Sequence, residues 1–220
     1  MLNAEDRLFA VKYAPRLFFD LNEPFFPVRF GITVLREDGG SPSFRRRLSV
    51  NRPDVEAVVE YAIYYDYDIQ HLYDLEHVWV YIGRNGEVAD AEASFHGKYL
   101  KSLLHGSANL EGTRVSLYVQ PGKHALSPLA EVFELLPGFA SCTEEGAGAD
   151  GLIYGDFLRG ILTTDEDTDR RVRSYLQTCR FTPSLSYTLW EYGDREELFV
   201  SWEELLAEIP GRIRRELARL

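Results

Sequence analysis

The chain predicts a mainly β fold, an antiparallel β-sandwich with C-terminal α-helices. Three observations carry this. The 220 residues hold 13 Tyr and 13 Phe against a single Met, a balance that suits strands better than a helical bundle. Apolar runs of strand length recur through the first half, separated by Pro, Gly and Asn-Gly turns. Helix-start signals cluster beyond residue 160.

The elements follow in order. Pro15, Pro24 and Pro27 punctuate Arg16-Leu-Phe-Phe19 and Phe25-Phe26, so this opening reads as extended pieces broken by turns. Residues 29–35 form a strand, 38–42 a loop, and 44–50 an edge strand whose Arg45-Arg46-Arg47 point outward. Residues 55–67 are almost continuously apolar and aromatic, as a central strand requires. Residues 74–82 and 87–95 make a hairpin around Asn85-Gly86. A two-residue loop there puts Val78, Val80 and Ile82 on one face with Ala91 and Ala93. A three-residue loop with a glycine bulge instead sets His96 opposite Asp74, and a bulge near Ser94 would reconcile the two.

Residues 114–120 give a further strand, and the Gly-rich stretch 137–160 reads as a mobile loop. Thr164-Asp-Glu-Asp-Thr-Asp opens a helix to about Cys179, with acids where the helix dipole favours them. Residues 184–192 read as a last strand. Ser201-Trp-Glu-Glu204 is a capping box starting an amphipathic helix that Pro210-Gly211 should interrupt. The expected organisation is a sandwich core at 1–136, the Gly-rich loop at 137–160, and a helical and strand extension at 161–220 packed on the core.

A formal charge of −11 opposes nucleic-acid or anionic-membrane binding, because phosphates would be repelled. It suits a cation, a neutral ligand or a basic partner. No basic stretch followed by an apolar run opens the chain, and no apolar run reaches membrane-spanning length. The expectation is a soluble, cytoplasmic protein. Cys142 and Cys179 are expected to be free thiols.

Chemistry concentrates between Asp66 and Tyr81, where Asp66, Asp68, His71, Asp74, Glu76 and His77 precede a β-branched strand. Asp74 and Glu76, two apart on a strand, point the same way. With His71, and with Asp66 or Asp68 from the preceding strand, they form a candidate divalent-cation site; the carboxylate majority favours Mg²⁺ or Ca²⁺ over Zn²⁺. His96 and His124 each follow a strand beside a glycine and are candidate catalytic acid/bases. The plainer reading makes these ordinary solvated loop residues and hydrogen-bonded surface histidines. No phosphate-binding loop, nucleophile elbow or Cys-x-x-Cys pair occurs.

Four patches resemble known sequences. Residues 13–27, the segment His71-x-x-Asp74-x-Glu76-His77-Val, Ser94-x-His96-Gly-x-Tyr99 and Gly122-Lys-His124-Ala are similar to motifs of a vacuolar-protein-sorting family, numbered sixty-two, and its relatives. The second and third also resemble the Gly-His-Arg-His-Asp-Trp-Glu heptapeptide and the Ser-x-His-Gly element of the necrosis- and ethylene-inducing-like proteins. The likeness runs from Tyr13 to Pro128. Gln70, Tyr73 and Leu75 replace the motif's glycine, second histidine and tryptophan. The resemblance implies a β-sandwich whose His71, Asp74 and Glu76 bind a divalent cation, an upstream aspartate (Asp66 or Asp68) completing the set.

The function expected is divalent-cation binding, serving either metal-dependent hydrolysis or capture of a small polar ligand such as a sugar or lipid head group. The alternative is a non-enzymatic interaction module whose C-terminal helices dock to a partner or to a second copy in a homo-oligomer.

Overall fold

The computed structural model describes residues 2–193 and 195–220. Two sheets face each other. The smaller orders Leu126–Ser127, Arg114–Val119, Arg16–Asp20 and Tyr187–Leu189 side by side, with Leu110–Glu111 also paired to Arg114–Val119. The larger orders Phe199–Ser201, Arg29–Leu35, Ala57–Tyr67, His71–Ile82, Val88–Phe95 and Lys98–Lys101, and Gly151–Leu152 adds beside the start of His71–Ile82. The fold is mainly β, as expected, but the sheets are mixed rather than antiparallel. Arg16–Asp20 runs parallel to Arg114–Val119, Phe199–Ser201 to Arg29–Leu35, and Gly151–Leu152 to His71–Ile82. Short segments distant in sequence fill the positions beside existing strands. Local alternation carries no trace of that pairing.

The hairpin resolves its register by apolar consistency. At the turn Ile82 pairs with Val88 and the Gly83 amide donates to Glu87 O, so the loop is the three-residue one, with Gly86 at φ +78°. A bulge at Tyr81/Ile82, rather than near Ser94, then restores the register of the two-residue reading, Val78 against Ala93 and Val80 against Ala91. These side chains face Leu17, Phe19, Val115 and Leu117 of the smaller sheet and form the main core with Phe30, Val59, Tyr61 and Ile63. On the other face of the larger sheet, Ala62, Tyr64 and Leu72 pack beneath Trp202, Leu205, Ile209 and Ile213. The central strand is therefore buried on both sides, which explains its unbroken apolar run.

The C-terminal helix runs from Trp202 to Leu217 straight through Pro210, against expectation. Proline forfeits one backbone hydrogen bond, but Leu205, Ile209 and Ile213 are fully buried, each contributing roughly 1.5–3 kcal/mol. The helix lies so close at Gly31 that a Cβ there would sit 2.7 Å from Leu205 Cδ2. The capping box forms as the sequence predicts, and the preceding helix spans Glu166–Thr178, capped by Asp165.

A helix at Ala4–Tyr13, capped by Asn3, is not evident from apolar spacing; Asn3 followed by Glu5 and Asp6 is its one sequence signal. Residues 137–150 are successive turns whose backbone bonds to Ile69 and Gln70. Both cysteines are free. Among the described residues, no helix is long and apolar enough to cross a membrane.

Candidate functional site

The core face of His71–Ile82 is apolar at Val78 and Val80, then turns polar at Glu76 and Asp74 as it reaches one end of the sandwich. Tyr65 lies opposite Asp74 on the central strand. The smaller sheet closes this end with its connecting loops: Glu23 follows the strand Arg16–Asp20, and Lys123 and His124 follow Arg114–Val119. Asp68 and His71 come from the turn between the two long strands. The turn carrying Lys123 and His124 requires Gly122, with φ of +70°, where a Cβ would lie 2.7 Å from Ile69 Cγ2. Its amide donates to Glu23 Oε2 at 2.6 Å.

The charged groups are paired with one another. Asp68 Oδ1 accepts the backbone amides of Gln70 and His71 at 2.5 and 2.9 Å. Its Oδ2 accepts from Lys123 Nζ and lies 3.1 Å from His71 Nε2. The other ring nitrogen, His71 Nδ1, sits 2.7 Å from the carbonyl oxygen of Tyr73. His124 Nδ1 lies 2.9 Å from Asp74 Oδ2, and its Nε2 is 3.5 Å from Glu23 Oε1. The Tyr65 ring stacks on His124, centroids 3.9 Å apart and planes within 8°. Ser94 Oγ donates to Glu76 Oε2.

Burial works against every charge in this cluster, and the neighbours decide which charges survive. For Asp68, the His71 and Lys123 charges and hydrogen bonds overcome burial and hold the carboxyl well below its usual range. For His124, the hydrogen bond to Asp74 and the charges of Glu23 and Asp74 overcome burial and raise the imidazole to about 10. Glu76 gains no such rescue. Burial, then the charge of Asp74, pushes it up to about 8. Four carboxyl groups thus face three basic side chains, His71, Lys123 and His124, and the carboxyl left over is the one that keeps its proton.

Among the described residues, three of the five non-glycine residues with positive φ belong here: Tyr73 at 78°, His96 at 50° and His124 at 57°. Each costs of order 1–3 kcal/mol unless its surroundings hold it in place, and a bulky residue such as Tyr73 is a marked outlier. His96 reaches the same end of the sandwich from the hairpin, its Nε2 lying 2.7 Å from Gln120 Oε1. Gln70, His96, Gln120, Lys123, Leu136, Pro137, Gly138 and Cys142 line a cleft of about 320 Å³. Larger hollows beside Asp38 and Arg52, beside Ser43 and Arg46, and beside Phe18 and Tyr118 lie elsewhere.

Asp68, His71, Asp74, Glu76 and His124 therefore share one cluster, with His96 at its rim. Asp66 stands apart: it approaches Arg212 of the C-terminal helix, 4.0 Å away, on the opposite face of the sheet. Glu23, Tyr65 and Gln120 escape a reading by sequence, whereas Ser94 and Lys123 enter it only as members of the motifs around His96 and His124. Arg46, expected on a solvated edge with Arg45 and Arg47, is instead buried against Glu92 at 2.5 Å.

The residues do not fit a divalent cation as they stand. Among the described residues, no three His, Cys, Asp or Glu side chains converge in a way that could hold a metal. A ligating imidazole needs a free lone pair, yet both His71 nitrogens face acceptors. Both oxygens of Asp68 already accept two hydrogen bonds or ion contacts each.

No family model matches the chain, and no curated protein matches it. Among solved structures it resembles Necrosis and Ethylene inducing Protein 2 from the causal agent of cocoa's Witches Broom disease. That likeness has 22% identity over 53% of this chain and 65% of that one, with a TM-score of 0.37. It also resembles NLPPya in complex with glucosamine (18% identity, 57% of this chain and 67% of that one, TM-score 0.39) and in complex with mannosamine (16%, 57% and 69%, 0.39). The chain thus spans about two thirds of the length of the structures it resembles. They belong to one of the two groups named from the sequence; the likeness to the vacuolar-protein-sorting group rests on sequence motifs alone.

Proposed function

We propose that the protein binds a small polar ligand, of the sugar or head-group class, in the cleft between Gln70, His96, Gln120 and Lys123. The observation that carries this reading is the backbone strain gathered at Tyr73, His96 and His124. Strain persists where the surrounding structure over-determines it, and such positions cluster at ligand clamps. The cleft wall supports the same class of ligand. Two amides, an imidazole and an ammonium can pair with hydroxyls from several directions, and Leu136 and Pro137 in the same lining suit the apolar face of a ring. Hexosamines such as glucosamine are the first probes to use.

A hydrolytic reading has one observation in its favour. Glu76 is a carboxylic acid at neutral pH, the state a general acid needs, with His124 nearby as its charged neighbour. Isothermal titration with glucosamine and mannosamine, on wild type and His96→Ala, tests the binding reading. Saturable binding weakened about tenfold in the variant is expected; no binding to wild type, or equal binding to both, rejects it. Turnover of an aryl glycoside or ester, lost in Glu76→Gln with binding retained, would favour the hydrolytic one.

A further inference from the structure

We infer that Lys123 is the resident cation of this cluster: its ammonium takes the place a divalent ion would need, so the folded protein binds no divalent ion there. This goes beyond the ligand reading and holds whatever the cleft accepts.

The argument is one of coordination chemistry. Asp74, Glu76 and a carboxylate from the neighbouring turn are the oxygen donors a hard cation prefers, and His71 adds a borderline imidazole. Here the neighbouring carboxylate is Asp68, and it is consumed. Lys123 Nζ and His71 Nε2 both contact Oδ2, while two backbone amides bind Oδ1. A lysine ammonium is a compact point charge with three donors, and its side chain is mostly buried at 15% exposure. The carbonyl oxygen of Tyr73 can only accept, so His71 must donate from Nδ1. Asp68 as a carboxylate can also only accept, and its Oδ2 lies 3.1 Å from His71 Nε2, so this contact favours a proton on that nitrogen as well. An imidazole with a proton on each nitrogen has no lone pair for a metal. An ion entering this site would have to expel the ammonium and strip a proton from His71 at once.

The position of Lys123 is fixed by the backbone. Its neighbour Gly122 takes a positive φ under contact with Ile69 and Thr143, and the Lys123 amide closes the turn onto Gln120 O at 3.2 Å. The amine is therefore delivered by a rigid turn and not by a free loop.

The test is an ion titration of the full chain after EDTA treatment, with no sugar present, so its result does not depend on the cleft having a ligand. Wild type should give no saturable heat with MgCl₂ or CaCl₂ and an unchanged Tm. Lys123→Met leaves Asp68 without its ammonium and should melt lower in EDTA, then recover by roughly 5 °C when either ion is added in large excess over its Kd. Asp68→Asn combined with Lys123→Met removes both charges, and should show neither the sensitivity to EDTA nor the rescue. Saturable, near-equimolar ion uptake by wild type overturns the inference, as does a Lys123→Met protein indifferent to both ions. If Lys123→Met does not fold, the wild-type titration decides alone: uptake overturns the inference and its absence supports it.

Discussion

Two buried histidine clusters occupy opposite faces of the same hairpin, and they differ in the sign of what surrounds them. Glu76 and His77 are adjacent in sequence, yet strand alternation sends one into the sandwich end and the other outward beneath residues 41–46. On the outer face, His77 Nε2 meets Ser43 Oγ at 2.9 Å, and both Ser43 Oγ and Trp79 Nε1 donate to Glu60. Arg46 pairs with Glu92 and lies 4.3 and 3.7 Å from the rings of Trp79 and Tyr99. Burial, then the Arg46 charge, pushes His77 down to about 3. On the inner face, His124 is raised to about 10 by carboxylates. One strand therefore holds a neutral histidine on one side while the other side faces a charged one. The outer cluster has ordinary backbone geometry at His77 and fastens the segment carrying Arg46. The inner one carries the backbone strain and borders the cleft.

The largest way to break this contrast is to remove the outer ion pair. Arg46 and Glu92 side chains are only 7% and 8% exposed, so Arg46→Ala leaves the buried Glu92 carboxylate with the Tyr81 hydroxyl and, 3.7 Å away, the exposed Lys101 amine in place of its buried guanidinium. A loss of about 3–5 kcal/mol is expected in urea denaturation. A loss under 1 kcal/mol would mean the outer cluster is not a fastening.

The second test is pH dependence, where the two faces should pull in opposite directions. His77 stays neutral in the folded chain down to about 3 but takes a proton near 6.5 when unfolded. Stability therefore falls as pH drops from 6.5 toward 3, by on the order of 5 kcal/mol at most. Glu76 keeps its proton to about 8 when folded but loses it near 4.5 when unfolded, so its contribution declines as pH rises through that window. His124 contributes fully below 6.5 and loses its contribution as pH climbs through about 10. Between about 4.5 and 6.5 the His77 gain and the Glu76 loss oppose each other, so stability should hold level there and fall below about 4.5 and above about 6.5. His77→Phe should remove the acid limb and start the alkaline decline at about 4.5, whereas Glu76→Gln should let stability climb to about 6.5 and then fall less steeply. A level region unchanged in both variants would show that these two groups do not set it.

A smaller effect sharpens the inner face. Gly122→Ala puts a methyl against Ile69 and Thr143 at a positive φ, and should cost about 1–3 kcal/mol while weakening sugar binding, because Lys123 and His124 ride on that turn. The smallest stability change belongs to His96→Gly. Relief of its left-handed strain offsets the lost Gln120 contact, so stability should shift by no more than about 0.5–1 kcal/mol while ligand affinity falls. Unchanged affinity would remove His96 from the binding surface.

What the sequence determined was local. Alternation placed Asp74 and Glu76 on one face, the apolar run at 55–67 announced a central strand, and the acidic segment from Thr164 and the capping box at Ser201 marked their helix starts, because each of these depends on neighbours within a few residues. Tertiary structure decided what those neighbours could not. It chose the parallel pairings, carried the helix through Pro210 on the strength of three buried side chains, buried Arg46, and brought Glu23 and Lys123 from remote loops to the carboxylates. A charge's partner is set by distance in space, so a string of residues can name the donors gathered at Asp68, Asp74 and Glu76 but not the cation that answers them.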